Sequence, residues 1–146
     1  MIRIEKSIII NRPVEDVWKF MSNIENATKW DRGVLEARQT SEGTIGVGST
    51  LQTRRQMLGR QRIGKLRVSE YVPNRIIALQ ASLGQIAAAQ IRYSFEPVDG
   101  GTRMTGTSEV ELRGLWKLIT PILTRMLARD GREDMANMKR IMEAPA

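Results

Sequence analysis

The sequence contains no cysteine and no histidine. The first absence excludes disulfides, thiolate metal sites and thiol nucleophiles; the second removes the commonest general base and metal ligand. No metal site is expected. Aromatic residues are scarce, with three Trp, two Tyr and two Phe. No apolar run approaches the roughly 20 residues that a membrane-spanning helix needs. The opening Met-Ile-Arg-Ile-Glu-Lys carries charge where the apolar part of a signal peptide would begin. These absences describe a soluble, cytoplasmic protein, and 146 residues suit a single domain (1–146) with a proper core.

What the chain has is basic charge. Lys and Arg number 23 against 16 Asp and Glu, a net +7. Part of the excess is concentrated in Arg54, Arg55, Arg60, Arg62, Lys65 and Arg67, a window with no acid. Such a patch attracts RNA, a ribosome or an anionic membrane, although charge on a solvated hairpin also serves to blunt a sheet edge. The window lacks the aromatics on which single-stranded bases stack, which argues against nucleic acid as the partner.

Ile2, Ile4, Ile8 and Ile10 alternate as in a strand. Asn11-Arg12-Pro13 breaks the pattern, and Pro13 with Glu15 and Asp16 suits the first turn of a helix. That helix runs from about Pro13 to Ser22 and buries Val14, Val17, Trp18 and Met21. A shorter one covers Asn23 to Lys29 and ends at Trp30; the two tryptophans are expected to plug one end of a sheet, with ligand stacking as the lesser role for Trp30. A strand from Val34 to Thr40 leads into Gly43, Gly46 and Gly48. These glycines are not a phosphate loop, because strand rather than helix follows and no Lys-Ser/Thr is present. The loop belongs at the rim of the sheet, where it could act as a lid. No cofactor is expected.

From Ser49 to Leu112 the chain reads as consecutive hairpins. Val98-Asp99-Gly100-Gly101 is the strongest turn. It sets Phe95 opposite Met104, Tyr93 opposite Gly106, Ile91 opposite Ser108, Ala89 opposite Val110 and Ala87 opposite Leu112. A turn at Pro73-Asn74 sets Val68 opposite Leu79, Leu66 opposite Ala81 and Glu70 opposite Ile77. A weaker turn at Gly59-Arg60 sets Leu51 opposite Val68, Thr53 opposite Leu66 and Arg55 opposite Gly64. Arg55 and Glu70 thereby fall on an otherwise apolar inner face, where a charge needs a partner, water or a ligand.

The last stretch, Leu115 to Glu143, reads as one long helix. It is apolar on most sides at first (Leu115, Trp116, Leu118, Ile119, Ile122, Leu123, Met126) and narrows to Leu127, Met135, Met138 and Met142. Pro121 should kink it or begin it afresh. Gly131 lies on the Leu127–Met135 line and is expected to face Gly106, Ala81, Ala87 and Ala89 across a gap, so that Gly131→Leu would fill a cavity there.

Strand, Pro-Val-Glu-Asp-Val-Trp helix, Trp30, Gly-Val-Gly-Ser loop, Val-Ser-Glu-Tyr-Val-Pro hairpin, Gly-Gly-Thr-Arg hairpin and terminal helix together resemble the START/Bet v 1-like (SRPBCC) superfamily, within it the polyketide cyclase/dehydrase and lipid transport group. The resemblance covers essentially the whole chain. It implies an α+β helix-grip fold: a seven-stranded antiparallel sheet around a long C-terminal helix, two short helices after the first strand, and an internal cavity for an apolar ligand.

The first functional expectation is binding or transport of a hydrophobic or amphipathic small molecule, lipid-like or aromatic. Its walls would be Leu66, Val68, Leu79, Tyr93, Phe95, Met104, Ile122, Met126 and Met135, with Arg55 or Glu70 orienting a polar head. The second is a cyclase or dehydratase using Glu70, Tyr93, Asp31 or Arg55. In the expected register Arg55 and Glu70 lie about 20 Å apart at ~3.3 Å per residue, too far for one acid–base pair. The third is a basic adaptor for RNA, a ribosome or an anionic membrane through the Arg54–Arg67 hairpin. Either a monomer or a homodimer suits this sequence.

Overall fold

The computed structural model describes residues 1–144. In chain order it contains β1 (Ile2–Ile10), α1 (Val14–Ser22), a 3₁₀ turn (Ile24–Asn26), α2 (Ala27–Trp30), β2 (Val34–Gln39), β3 (Thr50–Met57), β4 (Arg60–Val72), β5 (Ile76–Ser82), β6 (Ala87–Val98), β7 (Gly101–Leu112), a second 3₁₀ turn (Gly114–Ile119) and α3 (Thr120–Glu143). The strands form one sheet in the order β1-β7-β6-β5-β4-β3-β2. Every neighbouring pair is antiparallel. This is the helix-grip arrangement, a seven-stranded sheet closed over its C-terminal helix.

The β6–β7 register is the expected one at every pair, from Phe95 with Met104 to Ala87 with Leu112. Gly100 takes a φ of +78° in the turn, a conformation open to glycine without the clash that a Cβ brings. The β3–β4 hairpin differs. Its turn is Leu58-Gly59, both at positive φ (54° and 79°), the signature of a type I′ turn. The pairs therefore slip by two residues: Leu51 meets Leu66, Thr53 meets Gly64 and Arg55 meets Arg62. An even slip preserves faces, so Arg55 stays on the inner side.

The β4–β5 hairpin carries the consequential correction. Val68 pairs with Leu79 as expected, but the register shifts between Val68 and Glu70, and Glu70 then meets Ala78 while Tyr71 meets Ile77. The bulge turns Glu70 to the outer face, where it is exposed and lies 3.7 Å from Arg92. Tyr71 takes the inner position and packs edge-on against Trp18, with ring centroids 5.2 Å apart. Phe95 meets Trp18 from another side at 5.4 Å. Around these rings Ile10, Val17, Met21, Met104, Met135 and Met138 complete a solid core at the α1 end.

At the other end, the expected single helix divides. Pro121 occupies the first turn of α3, where its missing N–H costs nothing. The Thr120 hydroxyl donates to the Lys117 carbonyl at 2.6 Å and closes the preceding 3₁₀ turn. Leu115, Leu118 and Ile122 are not wrapped by the sheet; they are 83, 79 and 65 % exposed. Gly131 also faces elsewhere than expected. A Cβ there would first meet Lys6 Cγ, at 3.7 Å. Lys6 stands on the inward parity of β1 between Ile4 and Ile8, and the missing side chain at Gly131 gives its stem a way out past α3. Gly131→Leu would crowd that lysine rather than fill a cavity.

Candidate functional site

Between the sheet and the first half of α3 lies a hollow of about 190 Å³. Small side chains on the sheet make it: Gly64, Ala81, Ala87, Ala89 and Ser108 all border the space. From α3 come Leu123 and Leu127, and from the segment after α1 come Ile24, Ala27 and Trp30. A space of this size exceeds the ~150 Å³ apolar cavities that stay dry and accept benzene. It falls short of the ~300–1,000 Å³ of pockets for drug-sized ligands.

Three of the lining residues are titratable or charged. Asp31 follows α2 immediately, Arg55 comes from β3 and Tyr93 from β6, and all three border the hollow. Arg55 Nη2 donates to both carboxylate oxygens of Asp31 at 3.1 Å. The pair is mostly withdrawn from solvent, with side chains 31 and 18 % exposed. The Asp31 carboxylate also accepts the Gly33 backbone N–H at 3.0 Å. The ion pair thus leaves little free charge, while Nε and Nη1 of Arg55 take no part in its bonds to Asp31. Trp30 meets the Tyr93 ring edge-on, at 6.2 Å between centroids. Gly106 is the clearance for that ring: a Cβ there would lie 3.1 Å from Tyr93 and 3.0 Å from the Met135 methyl. Burial above all, then the nearby carboxylates of Asp31 and Asp134, raise the Tyr93 hydroxyl well above its ordinary range, and Arg55 opposes them. The hydroxyl is therefore a neutral donor at any physiological pH.

The chain matches, over residues 1–143, the family described as polyketide cyclase / dehydrase and lipid transport. The chain belongs to this family. Among solved structures it is similar to the Zhui aromatase/cyclase of a Streptomyces species, with a TM-score of 0.83 at 14% identity, covering 97% of this chain and 93% of that one. It is also similar to a START superfamily protein from Mycobacterium smegmatis, with a TM-score of 0.83 at 14% identity over 98% of each chain. At such identity the likeness is one of fold. A comparison with curated proteins finds no match.

Of the residues expected to line a site, the hollow gathers Arg55, Leu66, Leu79 and Tyr93. Val68 is buried beside Leu51 and Leu79 without reaching the space. Phe95, Met104 and Met135 belong to the solid core around Trp18. Met126 packs on the cluster of Ile2, Ala87, Leu112 and Leu123. Ile122 points outward, and Glu70 sits on the far face of the sheet. Along α3 the positions that border the hollow are 123 and 127 instead of 122 and 126. The basic hairpin is partly occupied internally. Arg54 pairs with Glu36 at 3.3 Å, Arg62 bonds the Met57 carbonyl at 3.0 Å, and the Arg62 guanidinium lies 5.4 Å from the Trp116 ring centre. Among the described residues, no helix is long and apolar enough to cross a membrane.

Asp134, on α3, is a functional candidate that sequence reasoning missed. Its carboxyl accepts the Arg32 backbone N–H at 3.4 Å. Burial first, and then the negative charge of Asp31, push it up to about 7. The sign of the stability effect follows. As pH rises from the ordinary carboxylate range toward 7, the unfolded chain has released this proton and the folded chain still holds it, so stability falls through that window and levels off above it. Asp134→Asn should match the parent near about pH 4. Above pH 7 it should be the more stable by roughly 1 kcal/mol after allowance for solvent screening, or about 3 °C in Tm. Melting curves at both pH values check this, and equal midpoints above pH 7 would show a carboxyl that ionises freely.

Proposed function

We propose that the protein binds, and thereby carries or presents, a small hydrophobic molecule bearing one neutral oxygen function, with its apolar body in the hollow and its oxygen at Arg55 and Tyr93. The single observation behind this reading is the mainly apolar space of about 190 Å³ bordered by the Arg55–Asp31 pair and by Tyr93. Because Asp31 already neutralises Arg55, the pair favours a carbonyl or phenol over a free carboxylate, which would meet Asp31 as well. Family membership supports the general class of ligand. It names no particular one.

Titration with 2-naphthol, followed by isothermal calorimetry, tests the reading. Saturable binding of one molecule per chain is expected, with the matching naphthoate at least tenfold weaker. Arg55→Gln should weaken 2-naphthol by roughly tenfold, the worth of one hydrogen bond to a charged donor. Absence of saturable binding by either compound would overturn it. Native mass spectrometry of freshly purified protein would show whether a guest of this class co-purifies.

Cyclase or dehydratase chemistry is the second reading, and it is favoured by Asp134, whose carboxyl feels the charge of Asp31 on the wall of the hollow without itself bordering that space. A carboxyl with a pKa near neutrality is suited to giving and taking a proton. Turnover that vanished in Asp134→Asn with guest binding intact would select this reading over carriage alone.

A further inference from the structure

Leu115, Leu118, Ile122, Arg125 and Arg129 recur at steps of three and four along the 3₁₀ turn and the start of α3, and all five are exposed. Residues three apart eclipse in a 3₁₀ turn, and residues three or four apart are neighbours on an α-helix. They therefore form one outward stripe, aliphatic first and cationic after. Arg113 and Lys117 flank its aliphatic part, and no acid occurs from Leu112 to Arg129. Arg132 continues it by a further step of three, exposed like the others. Three large aliphatic side chains this open to water are unfavourable on a monomer's surface unless something covers them.

We propose that this stripe docks the protein on an anionic lipid surface, with Leu115, Leu118 and Ile122 entering the headgroup boundary and Arg113, Lys117, Arg125 and Arg129 lying among the phosphates. The charge decides the occupant. A second copy of a +7 chain would bring the same cations against themselves, whereas an anionic bilayer offers both an apolar layer and a plane of negative charge. Arg129 has Asp130 within 3.6 Å, an exposed pair whose weak attraction leaves it open to a phosphate. The position has a consequence for traffic. Leu123 and Leu127, on the side of α3 turned away from the stripe, border the hollow, so a docked bilayer lies one helix thickness from that space. The inference rests on the surface alone and holds whether or not the hollow takes the guest proposed above.

Vesicle co-sedimentation of the full chain tests it. With vesicles of phosphatidylcholine containing one-third phosphatidylglycerol, the bound fraction should exceed that on pure phosphatidylcholine by at least tenfold and fall steeply as salt is raised. The double variant Leu118→Ser/Ile122→Ser and the double variant Arg125→Gln/Arg129→Gln should each lose at least tenfold. Arg103→Gln, which removes a cation from the outer face of the sheet beside Glu96, should bind like the parent. All variants should keep the parent's melting midpoint, since every substituted side chain is exposed. Equal binding to both vesicle types, or none to either, would overturn the proposal. So would a parent dimer that the Leu118→Ser/Ile122→Ser variant converts to monomer without any vesicle binding, since the patch would then join two copies. Binding of polyuridylic acid that the serine variant retained while vesicle binding was absent would overturn it in favour of a nucleic-acid surface.

Discussion

Gly101→Ala should lower the free energy of unfolding by about 3 kcal/mol, the upper end of what an overpacked position costs, and Tm by about 10 °C. A Cβ at this position would stand 2.2 Å from the Ile10 carbonyl oxygen and 3.1 Å from Asn11 Cα. Those atoms are backbone at the point where β1 leaves the sheet for α1, so no rotamer change relieves the clash. The same corner is fixed from the next residue, since the buried Thr102 hydroxyl donates to the Arg12 carbonyl at 2.8 Å. Gly100→Ala makes the comparison informative. Its φ is +78° and nothing lies within 4 Å of its would-be Cβ, so it should cost only about 1–2 kcal/mol of backbone strain. Urea titrations of the two variants give the ranking. A larger loss for Gly100→Ala would mean that β1 does not approach Gly101 as closely as described.

Ala89→Phe is expected to abolish uptake of 2-naphthol, with at least a tenfold loss of affinity, while leaving the fold as stable as before or firmer by about 0.5–1 kcal/mol, as cavity filling does. Ala89 lies between Ala81 on β5 and Val110 on β7, and all three border the hollow. A phenyl ring there takes the place of a guest. Gly106→Ala, two β6–β7 pairs beyond Ile91–Ser108 toward the solid core, should behave oppositely: its methyl would press on Tyr93 and Met135 and cost about 1–2 kcal/mol. Calorimetric unfolding of both proteins, together with naphthol titration, separates empty space from filled core. A destabilised Ala89→Phe would mean that the region is already packed, and the reading of the protein as a carrier would go with it.

The two hairpins whose turns use glycine or Pro-Asn are legible in sequence to different depths. Asp99-Gly100-Gly101 pins β6 to β7 for twelve pairs, because both the turn chemistry and the alternation point the same way. Pro73-Asn74 fixes the turn, with Arg75 N–H donating to the Val72 carbonyl at 3.0 Å, yet the bulge three residues earlier has no local mark. Ser69, Glu70 and Tyr71 alternate equally well in either register, and only the fit of Tyr71 against Trp18 decides. Leu58 hides the β3–β4 turn, since leucine is not a residue expected at positive φ. At the site, Arg55 and Asp31 were each visible as candidates. Their pairing, across 24 positions of sequence, was not, because it depends on where α2 ends. Asp134 shares its stretch with Asp130 and Glu133 and reads as part of a solvated face; the partial burial that sets it apart is a property of the assembled fold.

β1 and β7 are hydrogen-bonded along nine residue pairs, and the Ser7–Thr105 contact joins positions 98 apart. During synthesis the first strand therefore leaves the ribosome long before the strand it pairs with. At ~5–20 residues per second, its row of isoleucines waits roughly 5–20 s with an unpaired edge on each side. Vulnerability to misassembly is thus concentrated in the nascent chain, and a slower ribosome would lengthen it without altering the finished protein at all.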